Sequence, residues 1–433
     1  MTGDLLPTVL QKNSMPLESE KDLDILLQDI GDAKCVFLGE ASHGTKEYYI
    51  WRAHITKRLI EERNFSFVAV EGDWPDCYTV NRYVKEYEGS SRDAEHALRS
   101  FKRWPAWMWA NEEVREFIEW MRTHNHQLHH NKSLLEKGRV GFYGLDVYSL
   151  WESLELVMRY LEEYDPFALK AAYEAYSCFE PYSVSGSIQG RMVPRSCSEE
   201  VGALLSAMRT QVKQYAGDGE EYFNAEQNLI VTKTADAYYQ SMIRADTESW
   251  NVRDTHMMET LDRLLKFHGE ESKAVIWAHN THIGDARATP MAQQGMINLG
   301  QLAREKYGKE NVYLVGFSSY EGSVIAGAHW GAPMMKMEMP PAHKGSWEHL
   351  IHEAQPHNQL WILKQMQKEL AGAQYGQRAI GVVYIPRSER SNYVPTVLAD
   401  RYNALLYFET TQALTPLMVR ETQESLSYIE GLI

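Results

Sequence analysis

The chain has 433 residues, 44% of them hydrophobic, enough for a large core and more than a minimal domain needs. Acidic residues (59) outnumber basic ones (44), for a net charge of -15, and no basic tract interrupts the acidic background, which argues against a nucleic-acid or anionic-membrane surface. The four cysteines, Cys35, Cys77, Cys178 and Cys197, are widely spaced and form no Cys-x-x-Cys, so reduced buried thiols are expected rather than a disulfide framework or a zinc–cysteine site. No basic-then-apolar leader opens the chain and no apolar run approaches the length of a membrane helix, so a cytoplasmic location is expected.

An amphipathic helix is predicted over 21–30, with Leu23, Ile25, Leu26 and Leu27 turned inward. Val36 to Leu38 is a short apolar run that stops at Gly39 and gives way to Glu40-Ala41-Ser42-His43-Gly44. Bulky residues then recur with helical spacing from Lys46 to Glu62, so the stretch reads as strand, tight turn, helix. Ser66 to Val70 repeats the theme, an apolar strand running into Glu71-Gly72-Asp73-Trp74. Two close tryptophans, Trp107 and Trp109, precede a helix predicted from Asn111 to Gln127, with Asn111 and two glutamates at its start. A third strand begins at Arg139 and ends at Asp146.

From Leu150 to His268 the spacing is helical and strand signals are sparse. Ala171–Tyr173, Val201–Val212 and Glu221–Met242 read as helices, and the Ser- and Gly-rich stretch from Tyr182 to Cys197 reads as a loop. Strands return at 273–278, which runs into His279-Asn280-Thr281-His282, and at 311–317. Glu321-Gly322 has the composition of a turn into 323–326, and 378–385 and 403–408 are the last predicted strands. The expected fold is α/β, a mostly parallel central sheet flanked by helices with a large helical insertion. The expected domains are residues 1–149 as the first half of the core, 150–268 as a helical insertion or lid, and 269–433 as the second half.

Strands ending at Glu40, Glu71, Asp146 and His279 bring charge to one sheet edge, where open α/β sheets build ligand sites. A histidine takes a proton from water while a carboxylate holds its other nitrogen, which casts His43 as a general base and Glu40 or Glu71 as its partner. Arg52, His279 and His282 are candidates to polarise a carbonyl or position substrate. Trp74, Trp107, Trp109 and Asp146 are candidates to line the substrate cleft. No Gly-x-Ser-x-Gly elbow is present, so nothing supports a serine nucleophile on an α/β-hydrolase frame. Imidazole and carboxylate also suit a divalent metal; if one is bound, Glu40, His43, His279 and His282 are the expected ligands, although no cofactor is required by the water-activating reading.

Taken together, Leu38-Gly39-Glu40-Ala41-Ser42-His43-Gly44 with Arg52, Val70-Glu71-Gly72-Asp73-Trp74, Pro105-Ala106-Trp107-Met108-Trp109, Gly144-Leu145-Asp146-Val147-Tyr148 and His279-Asn280-Thr281-His282 resemble the erythromycin esterase family, in family order over about residues 20–420. Some homologues carry a label connected with succinoglycan biosynthesis. The resemblance implies an α/β core with an added helical part, and water-mediated hydrolysis of a macrolactone or other ester with His43 as general base and Glu40, Arg52, Glu71, His279 and His282 around it. A small-molecule ester is then the expected partner, with no nucleic acid and no membrane; the oligomeric state is unknown from sequence. Two alternatives stay open at this stage: a metal-dependent hydrolase at the same residues, and a non-catalytic binding protein for a bulky cyclic or haem-like ligand.

Overall fold

The computed structural model describes residues 6–130, 138–166, 168–179, 196–211, 219–244 and 246–417. Eleven strands occur among these residues: β1 (Met15–Pro16), β2 (Cys35–Leu38), β3 (Phe67–Asp73), β4 (Gly141–Asp146), β5 (Ala274–Trp277), β6 (Val312–Gly327), β7 (Met334–Met339), β8 (Gln359–Ile362), β9 (Gln374–Arg378), β10 (Tyr393–Val397) and β11 (Ala404–Thr411). Nine of them form one sheet in the order β1-β8-β11-β6-β2-β5-β3-β4, with β7 added to β6, and β9 and β10 form a separate antiparallel pair. The β11–β6, β6–β2 and β2–β5 pairings are parallel. The fold is α/β, with a mostly parallel central sheet flanked by helices. Every residue of β2 to β5 is buried, and their near-continuous apolar character is that of parallel strands covered on both faces.

The chain divides into two compact units. The first comprises residues 1–69, 79–142 and 268–433; the second comprises 70–78 and 143–267. In the first unit, the helix Lys46–Arg63 follows β2 and buries Tyr48, Tyr49, Arg52, Ile55, Leu59 and Ile60 at spacings of three and four. Asn64 ends it in the left-handed conformation, a usual way to close a helix C-terminus.

The second unit is built of helices Leu150–Tyr164, Leu169–Phe179, Ser198–Gln211, Gly219–Arg244 and Asp246–His268. Leu150, Leu154, Val157 and Leu161 form one buried stripe, Ala172, Ala175 and Phe179 a second, and Val201, Leu204 and Met208 a third. These stripes meet in one apolar core, as helical periodicity over 150–268 predicts. Most of the predicted loop 182–197 lies outside the described residues.

Four sequence expectations are corrected. Ile25 is 40% exposed, because at one residue from Leu26 it turns off the face that buries Leu23, Leu26 and Leu27. Glu321-Gly322 is not a turn: β6 runs unbroken through it, because β11 stays paired alongside as far as Thr411 opposite Gly322. Gly322 has φ +143, and a Cβ there would stand 2.1 Å from the Thr411 carbonyl oxygen, so glycine serves close strand approach here rather than chain reversal. The predicted strand 378–385 ends at Arg378, where pairing with β10 ends. Finally, Cys178 and Cys197 are joined in a disulfide with Cα atoms 6.0 Å apart, while Cys35 and Cys77 are buried free thiols. Packing of the helix ending at Phe179 against the one beginning at Ser198 brings together two cysteines that sequence spacing leaves apart.

Closing a loop with a sequence separation of 19 removes roughly 3 kcal/mol of unfolded-chain freedom. Cys178→Ser is therefore expected to lower the thermal midpoint, and reductant to lower the wild type but not the variant. Equal melting of wild type with and without reductant would count against the cross-link.

Candidate active site

The first unit places its charged residues through the register of β2 and β5. Leu38 lies opposite Trp277 in this parallel pair, so the segments that leave the two strands run side by side. The Ala278 N–H donates to the Leu38 carbonyl (3.3 Å), and the Asn280 N–H donates to the Glu40 carbonyl (2.9 Å). The Asn280 carboxamide donates to the Phe317 carbonyl at 2.7 Å and accepts from the Phe317 N–H at 3.3 Å, which ties the segment to β6 as well. Gly39 permits this: a Cβ there would lie 2.0 Å from Asn280 Oδ1.

Glu40 is fully buried. Its Oε1 accepts from His43 Nδ1 at 2.8 Å, and its Oε2 lies 2.8 Å from Arg52 Nη2. Arg52 is also without solvent exposure. Its guanidinium carbon stands 4.1 Å from the Tyr49 ring centre and 4.9 Å from that of Trp277, both within cation–π range. Tyr49 also donates its hydroxyl to the His43 carbonyl at 2.9 Å. His43 is 7% exposed. A carboxylate that accepts at Nδ1 fixes the neutral ring as the Nδ1–H tautomer, with the lone pair on Nε2.

The ring of His279 lies 4.9 Å from that of His43. Its Nδ1 caps the helix Asn280–Ile283, accepting from the Thr281 N–H (3.2 Å) and hydroxyl (2.8 Å), and its Nε2 is 3.2 Å from the Ile380 carbonyl. That network assigns the Nε2–H tautomer. His282 is buried in the same short helix. Of the ligand set raised from sequence, Glu40 is paired with a guanidinium, and the His279 Nε2 faces a carbonyl oxygen.

In the second unit, Glu71 and Asp146 share Arg253. Arg253 Nη2 is 2.7 Å from Glu71 Oε1 and 2.7 Å from Asp146 Oδ2, and Arg253 Nε donates to Asp146 Oδ1 at 2.9 Å. The guanidinium also lies over the Tyr148 ring. Burial opposes the charge on Arg253, but Asp146, Tyr148 and Glu71 outweigh it and hold the guanidinium well above its ordinary range. Asp146, expected to contact substrate, is thus bound by a fork of hydrogen bonds to an arginine that sequence reasoning did not single out. Nothing in the spacing around Arg253 marks it, since its partners lie 182 and 107 residues away.

The tryptophans expected along the cleft are interior. Trp74 has no exposure, stacks on Tyr143 and donates to Asn224 Oδ1 at 2.8 Å. Trp107 and Trp109 are 2% and 3% exposed, and Trp109 packs edge-on against Tyr49 and Phe142. All three are buried in packing, the commoner place of a large apolar ring.

The class this defines is an α/β protein that presents an imidazole, held by a buried carboxylate–guanidinium pair, at the C-terminal end of a parallel strand. Residues 60–411 match the erythromycin esterase family, and the chain belongs to that family. It is 22% identical over 337 residues to the erythromycin esterase type II of Escherichia coli, covering 73% of this chain and 76% of that one. Its fold is similar to a crystal structure described as a succinoglycan biosynthesis protein (TM-score 0.77, 20% identity, 96% of this chain and 98% of that one). It is also similar to a Bacillus cereus protein (0.77, 18%, 96% and 99%) and to an erythromycin esterase mutant, EreC, in its open conformation (0.64, 14%, 93% and 96%). Among the described residues no helix is long and apolar enough to cross a membrane.

Behind the Arg253 cluster, His256 is 1% exposed, and burial lowers its pKa from 6.5 to about 4, with Asp146 opposing in part. An unfolded chain takes up this proton as pH falls through about 6.5, and the folded one only near 4, so stability is lost on acidification across that window. At pH 5 the loss attributable to this one group is about 2 kcal/mol. Urea midpoints at pH 7 and pH 5 should therefore fall further apart in the wild type than in His256→Leu; parallel losses in the two would remove His256 as the cause.

Proposed function

We propose that the protein hydrolyses carboxylic esters, with a water molecule as nucleophile and His43 as general base. The observation that carries this reading is the 2.8 Å contact between His43 Nδ1 and the fully buried Glu40 carboxylate, which directs the lone pair of the imidazole to Nε2. Family membership supports the reaction class.

In the proposed sequence the water oxygen forms a bond to the ester carbonyl carbon while Nε2 of His43 takes its proton. The Nδ1 proton stays in place, and the negative charge of Glu40 stabilises the imidazolium that forms. Collapse of the tetrahedral intermediate breaks the carbon–alkoxy oxygen bond. The imidazolium then returns its proton to the departing alkoxide, so that one water is consumed and an acid and an alcohol leave. Arg52, buried beside the Tyr49 and Trp277 rings, acts on this step through Glu40 and is a positioning residue. His279 packs beside the His43 ring and limits how it swings. The scheme routes no step through a metal.

Incubation of the purified protein with erythromycin, with and without chelator, should give a product heavier by one water in both samples. Gain of water only without chelator would move the site to metal-assisted hydrolysis, and no gain with erythromycin or simple esters would end the ester reading. His43→Ala should reduce kcat at least about 100-fold with an unchanged melting temperature, and Glu40→Gln, which no longer fixes the tautomer, by about 100- to 10,000-fold. Near-normal turnover in His43→Ala would reject it as the base.

A further inference from the structure

The buried tryptophans leave open what part of the first unit meets a bulky substrate. Among the described residues of that unit, the exposed large apolar side chains are Ile25, Trp330, Met335 and Ile385. Three of the four belong to one region, the far end of the β6–β7 hairpin and the segment 380–385 bonded to it. Trp330, 47% exposed, occupies the connection between β6 and β7. Its ring centre lies 4.8 Å from that of Trp104, whose Nε1 donates to the Ala332 carbonyl at 2.8 Å and whose ring lies over Gly327. Ile385, 49% exposed, directly follows Tyr384, whose N–H donates to the Gly327 carbonyl at 3.0 Å.

Main-chain hydrogen bonds connect this apolar surface to the imidazoles. The Ile325 N–H donates to the carbonyl of Gly44, the residue after His43, at 3.0 Å. The Ile380 N–H donates to the Ala41 carbonyl at 2.7 Å, and the Ile380 carbonyl is the one that faces His279 Nε2. Two residues further along, the Val382 carbonyl accepts from the Gly327 N–H at 2.9 Å. Both the hairpin and the 380–385 segment therefore start at the catalytic turn and end at the exposed rings. A half-exposed indole packed at a tilt of 59° against a second indole leaves apolar surface facing water, and such surface commonly marks a binding site.

We propose that Trp104, Trp330 and Ile385 form the platform that receives the large apolar portion, aliphatic chain or macrocycle, of the ester whose carbonyl is presented to His43. The inference rests on the hydrolytic reading of His43 and assigns specificity to the hairpin end rather than to Trp107 and Trp109. Continuity with the His43 turn favours substrate over a second copy of the chain as the occupant.

The test compares 4-nitrophenyl acetate with 4-nitrophenyl decanoate in the wild type, Trp330→Ala and Trp330→Phe. Trp330→Ala should raise KM for the decanoate about tenfold, leave kcat/KM for the acetate within about twofold, and be rescued largely by Trp330→Phe. Equal changes on both esters, or no change on either, would overturn the platform. If the wild type cleaves neither ester, the hydrolytic reading fails by itself, and calorimetry with pentadecanolide, a large aliphatic lactone, then decides: weaker binding by Trp330→Ala upholds the surface as a ligand platform, and absent or equal binding removes it. A wild-type dimer that Trp330→Ala converts to monomer in sedimentation velocity would assign the surface to self-association and overturn the proposal.

Discussion

The carboxylate of Glu40 is the group on which the first unit's chemistry depends. It has no contact with water, and a buried carboxylate stays ionised only where a cation and hydrogen-bond donors replace its hydration. Arg52 supplies the cation at 2.8 Å and His43 the donor at 2.8 Å. Neither oxygen is left to solvent, so loss of either partner exposes the charge to an apolar surrounding. Arg52 faces the same constraint from the other side: its own burial is tolerable because Glu40 balances it and because Tyr49 and Trp277 present ring faces to the guanidinium. The helix Lys46–Arg63 is thereby fixed in rotation by an ion pair as well as by its apolar stripe.

Rigidity of the site follows from its being an extension of the sheet. The β2–β5 hydrogen bonding continues past the last paired residues through Ala278 and Asn280, and the Asn280 side chain mimics a strand partner for Phe317. Arg401 Nη2 donates to the Asn280 carbonyl at 3.0 Å and its Nη1 reaches Gln377 and Thr396, which links the turn after β5 to the β9–β10 pair. Trp277 joins two roles, covering Arg52 with one face while its Nε1 donates to Thr56 at 2.9 Å. Displacing any one of these groups shifts His43 through backbone that has little room to adjust, and for the proposed general base an angstrom-scale displacement is costly to rate.

Much of this was legible in the residues. Val36–Leu38, Gly39 and the helical spacing after Lys46 are local signals, and they locate Glu40 and His43 at a strand end without knowledge of the tertiary fold. The helical unit was legible for the same reason, since its stripes repeat at three and four residues. What escaped is non-local. Arg253 has its meaning only through Glu71 and Asp146, far earlier in the chain. The Cys178–Cys197 bond depends on how two helix ends pack. The short strands β7, β8, β9 and β10 have four to six residues and mixed composition, too little for a period of two to stand out. Tryptophan misleads in another way: its size suits both core and cleft, and only burial separates Trp109 from Trp330.

Charge gathers at four strand ends, and the ion pairs there follow a simple pattern. Glu40 is balanced by Arg52, while Glu71 and Asp146 are balanced by Arg253. Each carboxylate thus has a guanidinium within its own unit, and neither cluster needs the other for neutrality. The proposed hydrolysis assigns proton transfer to the imidazole and gives the acids the holding of its orientation and charge. In the hydrolysis proposed above, His43, a single residue after a short turn, moves the proton, and the carboxylates around it position and balance charge.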